Sequence, residues 1–159
     1  MLTWFTETVL GKFLATFAIS MVPILELRAG LPYGILHGLP YPLALAAAVL
    51  GNMLPVPFII YFIERIFAWM RKNMPRFNGF IEKMEKKAEG KEDVIKKYGY
   101  LGLVILVAIP LPGTGAWTGS LVAALMDLEP KKAFPCIFVG VLIAAMIMTF
   151  VSYGVKFWI

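Results

Sequence analysis

Two uncharged stretches constrain this chain more than any other feature: Pro42–Ile63, 22 residues, and Ala133–Val155, 23 residues. At 1.5 Å per residue a helix of either length reaches ~33 Å or more, enough to cross the ~30 Å hydrocarbon core of a bilayer. Both predict transmembrane helices, the first kinked by Pro55 and Pro57. The rest of the chain agrees. Hydrophobic residues make up 60% and charged residues 16% of the 159 residues, against roughly 45–50% and 25% in soluble domains. One core of this size could not hide so much apolar surface. The predicted fold class is therefore an all-α integral membrane protein, a single membrane domain over residues 1–159. Residues 1–20 lack a basic leading region and a small-residue cleavage site, so they do not read as a signal peptide.

The other apolar stretches are too short to cross. Tyr98–Ile109 and Ala116–Met126 are 12 and 11 residues, about half the core each. Between them Pro110, Pro112, Gly113 and Gly115 break the chain. The first half has the same plan: Phe13–Val22 runs into Pro23, and Leu31–Leu39 returns toward Pro40 and Pro42. The return arms share small residues at every fourth place, Gly30, Gly34, Gly38 and Gly115, Gly119, Ala123, which lets another helix approach closely. Residues 1–63 and 98–159 thus read as two repeats, each a re-entrant helical hairpin followed by a transmembrane helix. Residues 64–97 join them and hold most of the Lys and Arg. The positive-inside rule puts this basic connector in the cytoplasm, with Lys83–Lys97 expected as a surface amphipathic helix. A re-entrant second hairpin brings Lys131 and Lys132 to the same side, which gives the repeats inverted topology, a layout of many transporters.

Glu26 and Arg28 are the sharpest chemical signal, two charges in an otherwise apolar segment. Intramembrane charges usually face a cavity or each other. Arg28 could hold an anionic headgroup through its planar fork, while Glu26 orients it or exchanges protons; a purely structural pair is the competing reading. In the second half Pro110, Pro112, Gly113, Thr114, Gly115 and Trp117 form the matching turn, whose backbone N–H groups could face an anion. Gly30 completes the predicted substrate-binding set. His37 is the lone histidine, Asn52 an interhelical hydrogen-bonding candidate, and Cys136 an apolar filler. Asp127 and Glu129 balance Lys131 and Lys132. The sequence shows no metal-ligand spacing, no nucleophilic triad, no phosphate-binding Gly-Lys-Ser/Thr and no nucleic-acid face. No enzyme, cofactor or metal is expected, although protons or another ion could drive transport.

The segments ELRAGLPYG (26–34) and PLPGTGAWTGSLVAAL (110–125), taken together, resemble the small multidrug export protein family, within the DedA superfamily of VTT-type membrane proteins. The resemblance covers nearly the whole chain. It implies paired re-entrant hairpins in inverted repeats, and transport of lipids or small molecules in a prokaryotic cytoplasmic membrane. DedA-like proteins are associated with returning undecaprenyl phosphate across the membrane. Glu26 and Arg28 match the acid-plus-Arg character of their first hairpin, and Pro112-Gly113 the turn of the second. Ile109 and Gly115 stand where DedA proteins proper carry arginines. The expected function is a transporter or flippase for an anionic amphiphile, plausibly a polyprenyl phosphate. The alternatives are a proton-coupled exporter of small lipophilic cations and a non-transporting scaffold. Membrane lipid is the expected partner, with homo-oligomerisation open.

Overall fold

The computed structural model describes residues 7–111 and 113–158, and every regular element among them is helical. In chain order these are α1 (Val9–Met21), α2 (Glu26–Leu36), α3 (Tyr41–Met53), α4 (Pro55–Asn73), α5 (Asn78–Glu89), α6 (Glu92–Tyr98), α7 (Tyr100–Ala108), α8 (Ala116–Leu125) and α9 (Pro130–Trp158). They form two compact units. One holds the chain up to Pro55 and from Val141 onward; the other holds Val56–Gly140.

In the first unit α1 starts at Thr8, whose hydroxyl accepts from the Gly11 N–H at 3.0 Å, an N-cap. It stops at Val22, held extended (φ −71, ψ 131) because Pro23 excludes the helical conformation from the residue before it. The chain reverses over four residues and α2 returns antiparallel along α1. The small stripe makes this possible. Gly30 lies on Ser20, Gly34 on Thr16 and Gly38 beside Lys12, a Cβ built at Gly34 coming within 2.8 Å of Thr16 Oγ1. The predicted small-residue stripe therefore packs within its own chain. Helix α2 ends on Gly38 in the left-handed region (φ 76), where the Leu39 N–H donates to Gly34 O at 2.9 Å and the Gly38 N–H to Ile35 O at 3.1 Å. These two bonds satisfy carbonyls the helix end leaves open, in a Schellman motif. Pro40 then starts α3, which packs on both earlier helices. Gly34 meets Ala44, and Gly51 rests on the Phe17 backbone. The Tyr41 hydroxyl lies 3.2 Å from Thr149 Oγ1 of α9.

The second unit has the same local grammar. Helix α7 ends at Ile109, extended (φ −74, ψ 120), before Pro110. Helix α8 returns with Gly119 against Val107 and Leu103. It also closes in a Schellman motif: Leu128 N–H to Ala123 O at 2.9 Å and Asp127 N–H to Ala124 O at 3.1 Å, with Asp127 at φ 52. Leu and then Pro follow in both units within three residues of the left-handed position. Helix α9 crosses α7 where a Cβ at Gly140 would meet Val107 Cβ at 2.7 Å. In the connector an Arg71–Glu85 ion pair at 2.5 Å joins α4 to α5.

Two helical segments are long and apolar enough to cross a membrane, Tyr41–Asn73 and Pro130–Trp158. Their faces differ as lipid contact requires. In α9 Ala133, Ile137, Gly140, Val141, Ala144 and Ala145 are buried, one stripe at helical spacing. Phe138, Leu142, Met146 and Phe150 are exposed, Phe150 at 79%. In α4 Phe58, Tyr61, Phe62 and Trp69 are exposed likewise. Apolar faces this long suit a membrane surface better than a water-facing one. The first span kinks at Leu54, because Pro55 cannot bond the Gly51 carbonyl; Pro57 falls in the first turn of α4, where no intrahelical donor is lost.

The boundaries differ from the sequence reading in three places. The first span runs ten residues past Ile63, through Glu64 and Arg65. Helix α2 begins at Glu26, not Leu31, and keeps Pro32 inside it. The expected single helix over Lys83–Lys97 is two, parted at Gly90.

Close backbone approach makes a matched pair of glycines informative. At Gly51 a new Cβ strikes the Phe17 backbone, whereas at Gly79 nothing lies within 4 Å. Gly51→Ala should destabilise by about 1–3 kcal/mol, and Gly79→Ala, in the exposed helix α5, should stabilise by about 0.5–1 kcal/mol. Denaturation of the purified protein in mild detergent measures both; equal effects would contradict the packing of α3 on α1.

Candidate functional site

The candidate residues fall into two groups. Glu26, Arg28 and Gly30 belong to the first unit. Pro110, Gly113, Thr114, Gly115 and Trp117 belong to the second, and Pro112 lies outside the described residues.

Glu26 is the first residue of α2 and is 3% exposed. Its φ is +49, a left-handed conformation that costs a non-glycine residue roughly 1–2 kcal/mol. Its N–H donates to Val22 O at 2.9 Å, so the strain belongs to the tight reversal after Pro23. Strained, buried residues of this kind concentrate at functional sites. Arg28 lies two places on, half-buried, and the Glu26 charge acts on its guanidinium. Both residues lie in the first turn of α2, whose opening residue Glu26 is the irregular one. Gly30 continues α2 one turn later, pressed on Ser20. The tip itself is greasy: Val22, Ile24 and Leu25 are exposed, Ile24 at 87%. A carboxylate and a guanidinium thus lie behind an apolar rim.

In the second unit Gly113 (φ 84) and Gly115 (φ 122) hold the turn in conformations that L side chains avoid. The Thr114 hydroxyl lies 2.6 Å from Ile109 O and 2.8 Å from Leu111 O, to either of which it donates, closing the turn. Its role here is to shape the loop. Trp117 lies in the first turn of α8, half-buried. Ile109 and Leu111 are exposed, so this rim is apolar too.

Sequence reading missed Lys87. A Cβ built at Gly113 would lie 3.2 Å from Lys87 Cε and 3.9 Å from its ammonium, so α5 lays a cation against the turn. No spacing rule could have found it, because the connector's fold brings it there. It also missed an open pocket of about 410 Å³ lined by Tyr61, Glu64 and Arg65 of α4 and by Asp127 and Glu129 before α9. Its charges are mixed, and Glu129 pairs with Lys132 at 2.9 Å. His37 is exposed, stacked on Tyr33 with ring centroids 4.0 Å apart, and its Nδ1 lies 2.9 Å from the Tyr33 carbonyl. That is a helix-end contact. Asn52 is buried. Among the described residues no group of His, Cys, Asp and Glu is arranged to hold a metal ion.

The family described as "Putative small multi-drug export protein" matches residues 26–147, from Glu26 through most of α9. The chain matches no curated protein and no solved structure.

Glu26 is buried, Arg28 is half-buried and their charges interact; removing one of two interacting charges costs more than removing both. Arg28→Met should therefore destabilise, and adding Glu26→Gln should restore most of the loss. Denaturation of the four proteins in detergent gives the coupling. Additive effects would mean that the two side chains do not depend on each other.

Proposed function

The chain belongs to the small multi-drug export protein family, and we propose that it exports small lipophilic cations in exchange for protons, with Glu26 as the carboxylate that takes either. The observation that supports this most is the burial of Glu26 to 3% in a strained conformation, inside a segment whose only other charge is Arg28. A carboxylate is costly in such surroundings and is kept where it has work to do. A proton and a cation compete for one carboxylate, so binding of one releases the other. The exposed apolar rim at Val22, Ile24 and Leu25 suits the lipophilic part of the substrate.

A second reading is favoured by Arg28 and by Lys87 at the Gly113 turn: an anionic amphiphile such as a polyprenyl phosphate, gripped at its headgroup. The two readings separate cleanly in proteoliposomes. On the cation reading, Glu26→Gln abolishes proton-driven efflux of a fluorescent lipophilic cation. On the anion reading, Arg28→Ala abolishes phospholipid-type headgroup translocation, Arg28→Lys restores part of it, and Glu26→Gln leaves it intact. Undiminished cation efflux by Glu26→Gln would reject the first reading.

The same proposal takes both helical hairpins as re-entrant and the repeats as inverted in a prokaryotic cytoplasmic membrane, with the basic connector in the cytoplasm. Lys86→Cys and Lys131→Cys should then be labelled by an impermeant maleimide from the same side. Labelling from opposite sides would make the second hairpin a full crossing.

A further inference from the structure

We propose that Asn52 is a second contact of the Glu26 site and restricts the exported cations to protonated amines, excluding quaternary ammonium and phosphonium ions. The inference rests on the reading of Glu26 as the cation-binding carboxylate, and it names the substrate class.

The observation behind it is an acceptor without a donor. Asn52 is 3% exposed, and its Oδ1 is buried without a hydrogen-bond partner. Buried polar atoms are almost always paired, and a carboxamide oxygen in an apolar unit is short of one N–H or O–H. Thr16 Oγ1 is unpaired too, but it lies against Gly34, two turns from Glu26 along α2.

Register puts Asn52 near the tip. Helices α2 and α3 are antiparallel, and Gly34 meets Ala44. Eight residues back from Gly34 is Glu26, and eight residues on from Ala44 is Asn52. Each is about two helical turns, ~12 Å, from that contact and in the same direction. A second contact sets the depth: Gly51 rests on Phe17, and Gly30 on Ser20 and the Thr16 carbonyl, so Asn52 lies near the level of Gly30, about one helical turn from Glu26. Helix α3 also buries Ala44, Ala48 and Asn52 at four-residue spacing, one face.

The charged and titratable groups of the other elements gather at the opposite end. Lys12 lies by Gly38, Tyr33 stacks on His37, and Tyr41 lies beside Tyr153 of α9, ring centroids 6.0 Å apart. Glu7 precedes α1, and Lys156 follows Tyr153. Arg28 accompanies Glu26 in the first turn of α2.

An ionised carboxylate and a carboxamide oxygen are both acceptors. A ligand that satisfies both brings positive charge to the first and an N–H to the second. A protonated amine has both; a quaternary ammonium has only the charge and leaves Oδ1 without a donor.

The test uses a matched pair, 4-phenylbutylammonium and its N,N,N-trimethyl analogue, titrated calorimetrically into the full chain in nanodiscs. Wild type should bind the primary ammonium more tightly by at least about tenfold, the worth of one hydrogen bond. Asn52→Leu should narrow the preference by about tenfold, what remains being the N–H that the primary ammonium also gives the Glu26 carboxylate. Its thermal midpoint should hold or rise, since an apolar side chain replaces an acceptor that had no donor. Equal affinities in wild type, or a preference that Asn52→Leu leaves undiminished, would overturn the proposal, and the wild-type comparison needs no variant to fold. Glu26→Gln separates the two readings. If it weakens both ions, Glu26 is the cation site whatever Asn52 does; if it weakens neither, or wild type binds neither ion, the Glu26 reading fails and the Asn52 proposal with it.

Discussion

In hydrocarbon a backbone N–H or C=O without a partner costs several kcal/mol. That single constraint accounts for most of this architecture. It leaves the chain only helices and forces each break to be sealed locally. Both return arms do so with the same device. Gly38 and Asp127 take left-handed conformations, and the amides around them recapture the carbonyls that a helix end would strand. The hydroxyls follow suit. Ser20, Ser120, Thr149 and Ser152 each donate to a carbonyl four residues back, which leaves few polar atoms unpaired. Against that background an orphan such as Asn52 Oδ1 stands out chemically.

The second determinant is volume. Without a solvent that drives helices together, membrane helices associate through close packing. Here glycines set the distances: Gly30 and Gly34 against α1, Gly51 against the Phe17 backbone, Gly119 and Gly140 against Val107. Such contacts bring α2 so near α1 that the reversal between them is tight. The strain of that reversal appears at Glu26. Packing, the buried charge and the proposed chemistry therefore meet at one residue. The apolar face of the hairpin tip extends the same logic to ligands, because a lipophilic cation needs a greasy approach to a single buried carboxylate.

Much of this was readable in advance, for identifiable reasons. Uncharged runs of bilayer length marked both spans, and Pro/Gly pairs marked both breaks, since hydropathy and backbone chemistry act locally. Four-residue glycine spacing announced helix contact but not the partner, which the four-residue reversal after Met21 decides. The start of α2 was misplaced because Pro32 looked like a helix breaker, yet one missing N–H in the second turn is tolerated. The extension of α4 past Ile63 was missed because charged Glu64 and Arg65 suggested an end, yet the helix runs on through them to Asn73. Lys87 at the Gly113 turn and the depth of Asn52 depend on how helices pack, so nothing local in the sequence encodes them. Family membership agrees with the membrane reading and favours export of small molecules over lipid-carrier transport, while the roles of Glu26, Arg28 and Asn52 rest on their burial, register and chemistry.

The central claim is that one carboxylate holds either a proton or a cation. The most direct measurement is proton release on cation binding by the purified protein in weakly buffered detergent, with a pH indicator following each addition. The account predicts stoichiometric release from wild type and none from Glu26→Gln. Cation binding without proton release in wild type, or release that persists in Glu26→Gln, would contradict it.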